Sequence, residues 1–418
     1  MLSLPAALLL LLHTDVPSGW SVIGRAPQHD IQRVTLALRQ PAAGLRQLAA
    51  RLAIVADPAH AEYGQWLSRA EVEALVSPGA AAFASVDTWV AGCRRNASGS
   101  GRAAAAAAAA AAAVAEAEEV TEVTRTGGDA VVVRAAVSVL ECMFGAPLHA
   151  VRTPLGRTVV RALPAAASLL RVPPAVEMHT PLLEYHHFAR ARLPRPPPPR
   201  QQQHGKGDGG HSGVTPHALR ALYNYGGAAV REGSPVTQAV AELQHALGPE
   251  GFAAPGLDAF EEAMRLSRSL QPAAVVGGRN DGFDPTGECA LDLQYVGAVA
   301  QGANTTFWLE DQWVYELALA LGAAPALAGG PGPPDVVSIS WGFAEARQCG
   351  PTDFGPDMPA NCTALGFDGS GTYVRRHANA ELLLYSRPTG AFSFFGFVTH
   401  SLTHSLAHSL THSLLYLL

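Results

Sequence analysis

The chain has 418 residues, 48% of them apolar, and a net charge of −6 from 29 Lys and Arg against 35 Asp and Glu. Such a length accommodates about two to three domains, and the lack of a dominant basic field argues against nucleic acid as a partner. Five cysteines with no CxxC pair argue against a cysteine-held zinc site and a disulfide-dense scaffold.

Leu2 to Leu12 is almost wholly apolar yet too short to cross a membrane, so residues 1–18 read as an export signal and no transmembrane segment is expected. Val34, Leu36 and Leu38 alternate with polar neighbours as a half-buried strand. Leu45, Leu48, Leu52 and Val55 then recur at helical spacing until Asp57-Pro58 ends the helix. Ser68 to Glu71 spells a capping box that opens a helix to about Val76. A helix near Asp87–Gly92, strands at Ala130–Val133 and Val159–Ala162 and a helix at Val137–Phe144 make residues 19–188 a small α/β unit. The eleven alanines from Ala103 to Ala113 have no apolar stripe and read as a low-complexity insertion.

Residues 189–213, with four consecutive prolines followed by Gln, Gly and His, form a stiff and then flexible linker open to nicking. Thr215-Pro216 starts a helix. Strand candidates at Val236–Leu243, Ala273–Val276, Thr305–Leu309 and Val336–Ile339 alternate with helices at Asp258–Leu270, Glu288–Ala300 and Gln312–Leu321, the pattern of a parallel sheet. Residues 386–418 end in a Thr-His-Ser-Leu repeat whose four-residue period makes a poor core element. Cys349 and Cys362 flank a loop that they could close in an oxidising compartment, and sequons at Asn96, Asn304 and Asn361 fit a secretory route.

The chemistry-bearing feature is Gly287-Glu288-Cys289-Ala290-Leu291-Asp292. Glu288 and Asp292 lie four apart in a helical stretch and share one face, which continues through Tyr295 and Val299. Two carboxylates facing a partly dry interior resist double ionisation and can share a proton for general acid–base work. The plain alternative is a solvated acidic face.

Several stretches, in order, resemble one family, the sedolisins or serine-carboxyl peptidases, and especially its tripeptidyl-peptidase branch. Gly19-Trp20 with Arg25-Ala26-Pro27, Ala56-Asp57-Pro58 to Tyr63-Gly64, and Leu67-Ser68 to Glu71-Val72 resemble its propeptide. Val214-Thr215-Pro216 to Tyr223-Asn224 is similar to the start of the mature enzyme. Gly287 to Tyr295 resembles its catalytic helix, and Val336 to Gly342 and Tyr373 to Leu382 the strand and helix that follow.

The resemblance implies an α/β fold: a ferredoxin-like propeptide domain (19–188) followed by an incomplete subtilisin-like parallel-sheet domain (214–385). It implies a serine-type peptidase precursor, secreted or lysosomal/vacuolar, acting on peptide or protein substrates and silenced by contact between propeptide and catalytic domain in cis. Glu288 would be the general base for a serine and Asp292 its supporting carboxylate. A carboxylate base suits acid compartments, where histidine would be protonated. The family's oxyanion aspartate turn, its Gly-Thr-Ser-Ala-Ser-like nucleophile motif and its calcium site have no counterpart here, so no cofactor is expected in this chain. Asp368-Gly369-Ser370-Gly371 precedes the helix at Tyr373 and reads as a loop. Turnover by this chain alone is not expected without the serine. The other reading is a non-catalytic propeptide module that folds or inhibits a related peptidase in trans.

Overall fold

A computed structural model describes residues 16, 19–99, 121–183, 185, 214–225, 230, 236–243, 245, 251–282, 287–323, 334–340 and 393–396. The alanine run, the linker 189–213, the Cys349–Cys362 loop, Trp341, the Tyr373 stretch, Asp368–Gly371 and the repeat from Thr399 onward lie outside these residues.

The first part carries two antiparallel sheets. Strands β1 (Ser21–Arg25), β5 (Leu148–Arg152) and β6 (Thr158–Ala162) form one, ordered β1-β5-β6. Strands β2 (Ile31–Leu38), β3 (Glu122–Thr126), β4 (Ala130–Ala136) and β7 (Val176–Thr180) form the other, ordered β3-β4-β2-β7. Helices α1 (Ala42–Val55) and α2 (Arg69–Val76) pack together through Leu48, Val72 and Val76. The expected capping box is present: Ser68 Oγ accepts from the Glu71 backbone N–H, and the Glu71 carboxylate accepts from the Ser68 N–H. Helices α3 (Ala80–Gly99) and α4 (Val137–Phe144) cover one face of the four-stranded sheet. A Cys93–Cys142 disulfide joins them. Folding brings together two cysteines that no motif links; the pairing expected of Cys349 and Cys362 lies outside the described residues.

The second part holds a parallel sheet of strands β8 (Thr237–Glu242), β9 (Ala274–Val276), β10 (Asn304–Leu309), β11 (Val336–Ile339) and β12 (Ser393–Gly396), ordered β12-β11-β8-β10-β9. Helix α5 (Pro216–Tyr223) begins at Thr215, whose Oγ1 accepts from the Ala218 N–H, with Pro216 in the first turn. Helices α6 (Ala254–Met264) and α7 (Glu288–Val299) share one face of this sheet: Leu257, Cys289 and Leu293 pack on Val240, Phe307 and Leu309. Helix α8 (Val314–Ala323) covers the other face, against Ala239, Ala241, Trp308 and Val337.

The path from β8 to β9 crosses over β10, and the path from β9 to β10 returns, yet α6 and α7 make both steps on the same face. Two parallel crossovers running opposite ways over one face have opposite hands, so one of them is the seldom-used left-handed kind.

Helix α8 is also where the two parts meet. Ala37, Ala130 and Met178 of the antiparallel sheet join Trp313, Leu317 and Leu319 in one core. The molecule is thus layered: α6 and α7, the parallel sheet, α8, the antiparallel sheet, then α3 and α4. This stacking corrects the half-buried expectation for β2. Val34 to Leu38 are all buried, because Val34, Leu36 and Leu38 face α3 and α4 while Ala37 faces α8.

Candidate active site

Helix α7 starts on Gly287, whose φ of 78° lies in the left-handed region that glycine enters at little cost. Glu288 therefore sits in the first turn, where unsatisfied backbone N–H groups favour a carboxylate. Cys289 and Leu293 are fully buried against the sheet and fix the rotation of the helix. That rotation buries Asp292 (8% exposed), leaves Glu288 partly buried, and turns Leu291 outward at 48% exposure. Of the expected inward stripe, Asp292 is buried while Glu288, Tyr295 and Val299 are only partly so; Gly297, outside that stripe, is buried as well. Gly297 is needed for close packing: a Cβ there would lie 2.8 Å from Leu270 Cδ2.

Two contacts tie this helix to the rest of the second part. Tyr295 donates its hydroxyl to the Val214 carbonyl at 2.6 Å, anchoring the segment that leads into α5. Phe260 of α6 packs on the Tyr295 ring with centroids 5.4 Å apart. Chemically, α7 carries one partly exposed carboxylate, Glu288, and a buried one, Asp292, four residues on. Such a pair can take a proton from an approaching hydroxyl and stabilise the acid that results.

Further ionisable groups, not anticipated from the sequence, surround the contact between the two parts. Burial raises the pKa of Glu310, just past β10, to about 8, with help from the neighbouring Glu316 and against the pull of Arg33. Burial likewise raises Glu316 on α8, which accepts a hydrogen bond from Thr180 Oγ1 of β7 and is opposed by that bond and by Arg33. His245, beyond β8, is held below its ordinary value first by burial and then by Arg157, while Asp311 and Asp281 oppose the shift. Arg157, from the turn before β6, forms an ion pair with Asp281. A lone acid such as Glu316 inside the apolar run Val314–Leu321 was a legible signal; the others depended on tertiary contacts. Among the described residues no three His, Cys, Asp or Glu side chains gather as a metal site, and no step proposed below is routed through a metal. No helix among the described residues is long and apolar enough to cross a membrane.

Residues 18–120 match the pro-kumamolisin activation domain. The chain is similar to physarolisin of Physarum polycephalum, 25% identical over 377 residues, covering 88% of this chain and 54% of physarolisin. It is similar to tripeptidyl-peptidase 1 of Rattus norvegicus, 26% identical over 301 residues, covering 70% of this chain and 46% of the rat protein. A shorter stretch of 78 residues is 36% identical to tripeptidyl-peptidase sed4 of Aspergillus fumigatus, covering 18% of this chain and 13% of sed4. The chain thus spans about half the length of the relatives that it matches most extensively (54% and 46%). An activation-domain match at residues 18–120 thus stands ahead of a parallel sheet, and the chain as a whole is similar to peptidases of the sedolisin, tripeptidyl-peptidase-like kind that carry a propeptide.

Proposed function

We propose that this chain comprises the propeptide and the N-terminal part of the peptidase unit of an acid-acting serine-carboxyl peptidase of the tripeptidyl-peptidase kind. On this reading Glu288 is the general base that takes the proton of a serine hydroxyl, and Asp292 is the carboxylate behind it that keeps the resulting acid in place. One observation carries the assignment: Asp292 is buried one turn behind a partly exposed Glu288, on a helix that crosses between adjacent parallel strands. The antiparallel sheet with its helices is then the ferredoxin-like propeptide, and the parallel sheet with one reversed crossover is the subtilisin-like core. Contact between them through α8 fits a propeptide that silences the enzyme in cis, and export to a secreted or lysosomal destination fits the Cys93–Cys142 bridge.

The sequence contains no Gly-Thr-Ser-Ala-Ser-like turn, so we expect the 418-residue polypeptide to give no turnover of a tripeptidyl fluorogenic substrate. Transcript sequencing across the codons for Leu383 to Phe392 identifies any form that continues into the missing aspartate turn. In such a form, Glu288→Gln is expected to lower turnover at about pH 4–5 by roughly 100-fold or more. Unchanged turnover by that variant would remove Glu288 from the mechanism. A second reading, a propeptide module acting in trans, draws on the closed core and disulfide of the first part. It requires that residues 19–188, added separately, slow an active sedolisin.

A further inference from the structure

Glu316 is the one charged residue of α8, and it is 1% exposed between the fully buried Tyr315 and Leu317. It faces the first part of the chain: its Oε1 accepts from the Thr180 hydroxyl of β7, which is itself fully buried. Its Oε2 is buried with no hydrogen-bond partner. On the antiparallel sheet Thr35 pairs with Thr180, and Ala37 with Met178. Ala37 and Met178 share the apolar core that α8 enters, so the hydroxyl of Thr180 meets the carboxyl on otherwise apolar ground. Glu310, just past β10, is also buried, and it acts on Glu316's neighbourhood from the parallel sheet.

Such a place tolerates a neutral carboxyl far better than an ionised one. Burial raises Glu316 above the ordinary carboxylate range and, with Glu316 beside it, raises Glu310 to about 8. The groups that face the two acids are few. Arg33 of β2 opposes both shifts, the Thr180 bond opposes that of Glu316, and Asp311 adds to that of Glu310. His245, beyond β8, donates its backbone N–H to the Glu310 carbonyl at 3.0 Å. His179, next to Thr180 on β7, packs on Phe144 at the far side of the sheet. When the first part leaves, β2 and β7 uncover α8 and water reaches Glu316. The acids then return toward their ordinary range and release protons that docking must take up again. Docking is thus favoured in acid: the contribution is fully present below about pH 4.5 and is lost as pH rises toward 8. Each proton taken up changes affinity by up to about ten-fold per pH unit in that window.

We propose that the Glu316 carboxyl, with Glu310 beside it, is the recognition site on the parallel-sheet part for a hydroxyl-bearing propeptide face, and that it grips this propeptide more firmly in acid than near neutrality. The proposal rests on the reading of the first part as a propeptide and adds to it a residue pair that selects the partner. A face without a donor at the position of Thr180 leaves the buried carboxyl short of a bond, a cost that rejects it. Acid by itself therefore does not free the second part.

The test uses the full chain with a site-specific protease recognition sequence in the linker 189–213, cut after folding. Unlabelled and isotopically heavy cut chains are mixed, and native mass spectrometry follows the exchange of first parts at about pH 5 and about pH 8. Loss of a buried polar contact appears mainly in such dissociation rates. The wild type should exchange at least about ten-fold more slowly at the lower pH. Glu310→Gln combined with Glu316→Gln, which keeps neutral groups of similar shape, should exchange at rates within about two-fold of each other at the two pH values. Thr180→Val should exchange at least about ten-fold faster than the wild type at the lower pH, and Thr180→Val combined with Glu316→Leu should recover most of that loss. Wild-type exchange that speeds up in acid, a pH ratio that survives the paired glutamines, or Thr180→Val that exchanges like the wild type overturns the proposal. So does a complete absence of exchange at both pH values. None of these outcomes touches the peptidase reading, which stands or falls with Glu288→Gln.

Discussion

At the scale of single residues, the contrast between Leu291 and Asp292 explains the site. The apolar Leu291 is 48% exposed while its acidic neighbour is 8% exposed, the reverse of what their hydropathies favour. Cys289 and Leu293 outweigh that local preference, because both are fully buried on the sheet and together set the helix rotation. Burying a carboxylate is costly unless other groups compensate, so the apolar contacts of Cys289 and Leu293 outweigh that cost here. Gly277 illustrates a different constraint: both its positive φ and the nearby Leu309 carbonyl oxygen oppose any side chain. Gly277→Ala should destabilise the chain by about 2 kcal/mol or more, from αL strain and overpacking combined. Urea unfolding measures this directly, and coincident curves for variant and wild type would contradict it.

Among the elements, β2 and the α3–α4 pair are the most informative. The alternation of Val34, Leu36 and Leu38 correctly located a strand and one apolar face. It could not reveal that the other face, containing Ala37, lies against α8. The α3–α4 pair is joined by Cys93–Cys142, which closes a loop of 49 residues in sequence separation. In the chain-entropy account, a cross-link over a loop of that size stabilises by up to about 4 kcal/mol, and delivered values are often lower. Cys93→Ser with Cys142→Ser should therefore cost about 2–4 kcal/mol in the unfolding of the first part, followed by denaturant titration under oxidising conditions. Adding reductant to the wild type should reproduce the loss. A reductant-insensitive wild type would mean that the bridge contributes little.

For the whole molecule, the layered contact makes stability depend on pH in two opposing ways. Glu310 has its pKa raised from 4.5 to about 8, so the folded state holds a proton that the unfolded chain releases. Its contribution is fully present below about pH 4.5 and is lost as pH rises toward 8. His179, on the edge strand β7 with its ring tilted against Phe144 and its Nδ1 buried without a hydrogen-bond partner, is lowered from 6.5 to about 4 by burial. Its contribution is present above about pH 6.5 and is lost as pH falls toward 4. Melting temperature should accordingly peak between these limits. Glu310→Gln should flatten the alkaline decline, and His179→Gln the acid decline. If both variants keep the wild-type profile, other groups govern the pH response.

The sequence by itself determined many of the strands and helices, the capping box at Ser68, the start of α5 at Thr215-Pro216, the family resemblance and the placing of Glu288 and Asp292 four residues apart on one helix. These are local features, set by turn chemistry, by side-chain periodicity and by the four-residue return of a helix face. The tertiary structure alone decided the Cys93–Cys142 bridge, the second buried face of β2, the reversed crossover, the burial of Glu310 and Glu316 and the meeting of Arg157 with Asp281. Each of these depends on segments far apart in the chain: Arg157 and Asp281 are separated by 124 positions and Thr180 and Glu316 by 136. Burial and charge neighbourhood are properties of packed layers, and no local pattern encodes which layer a strand or helix will meet.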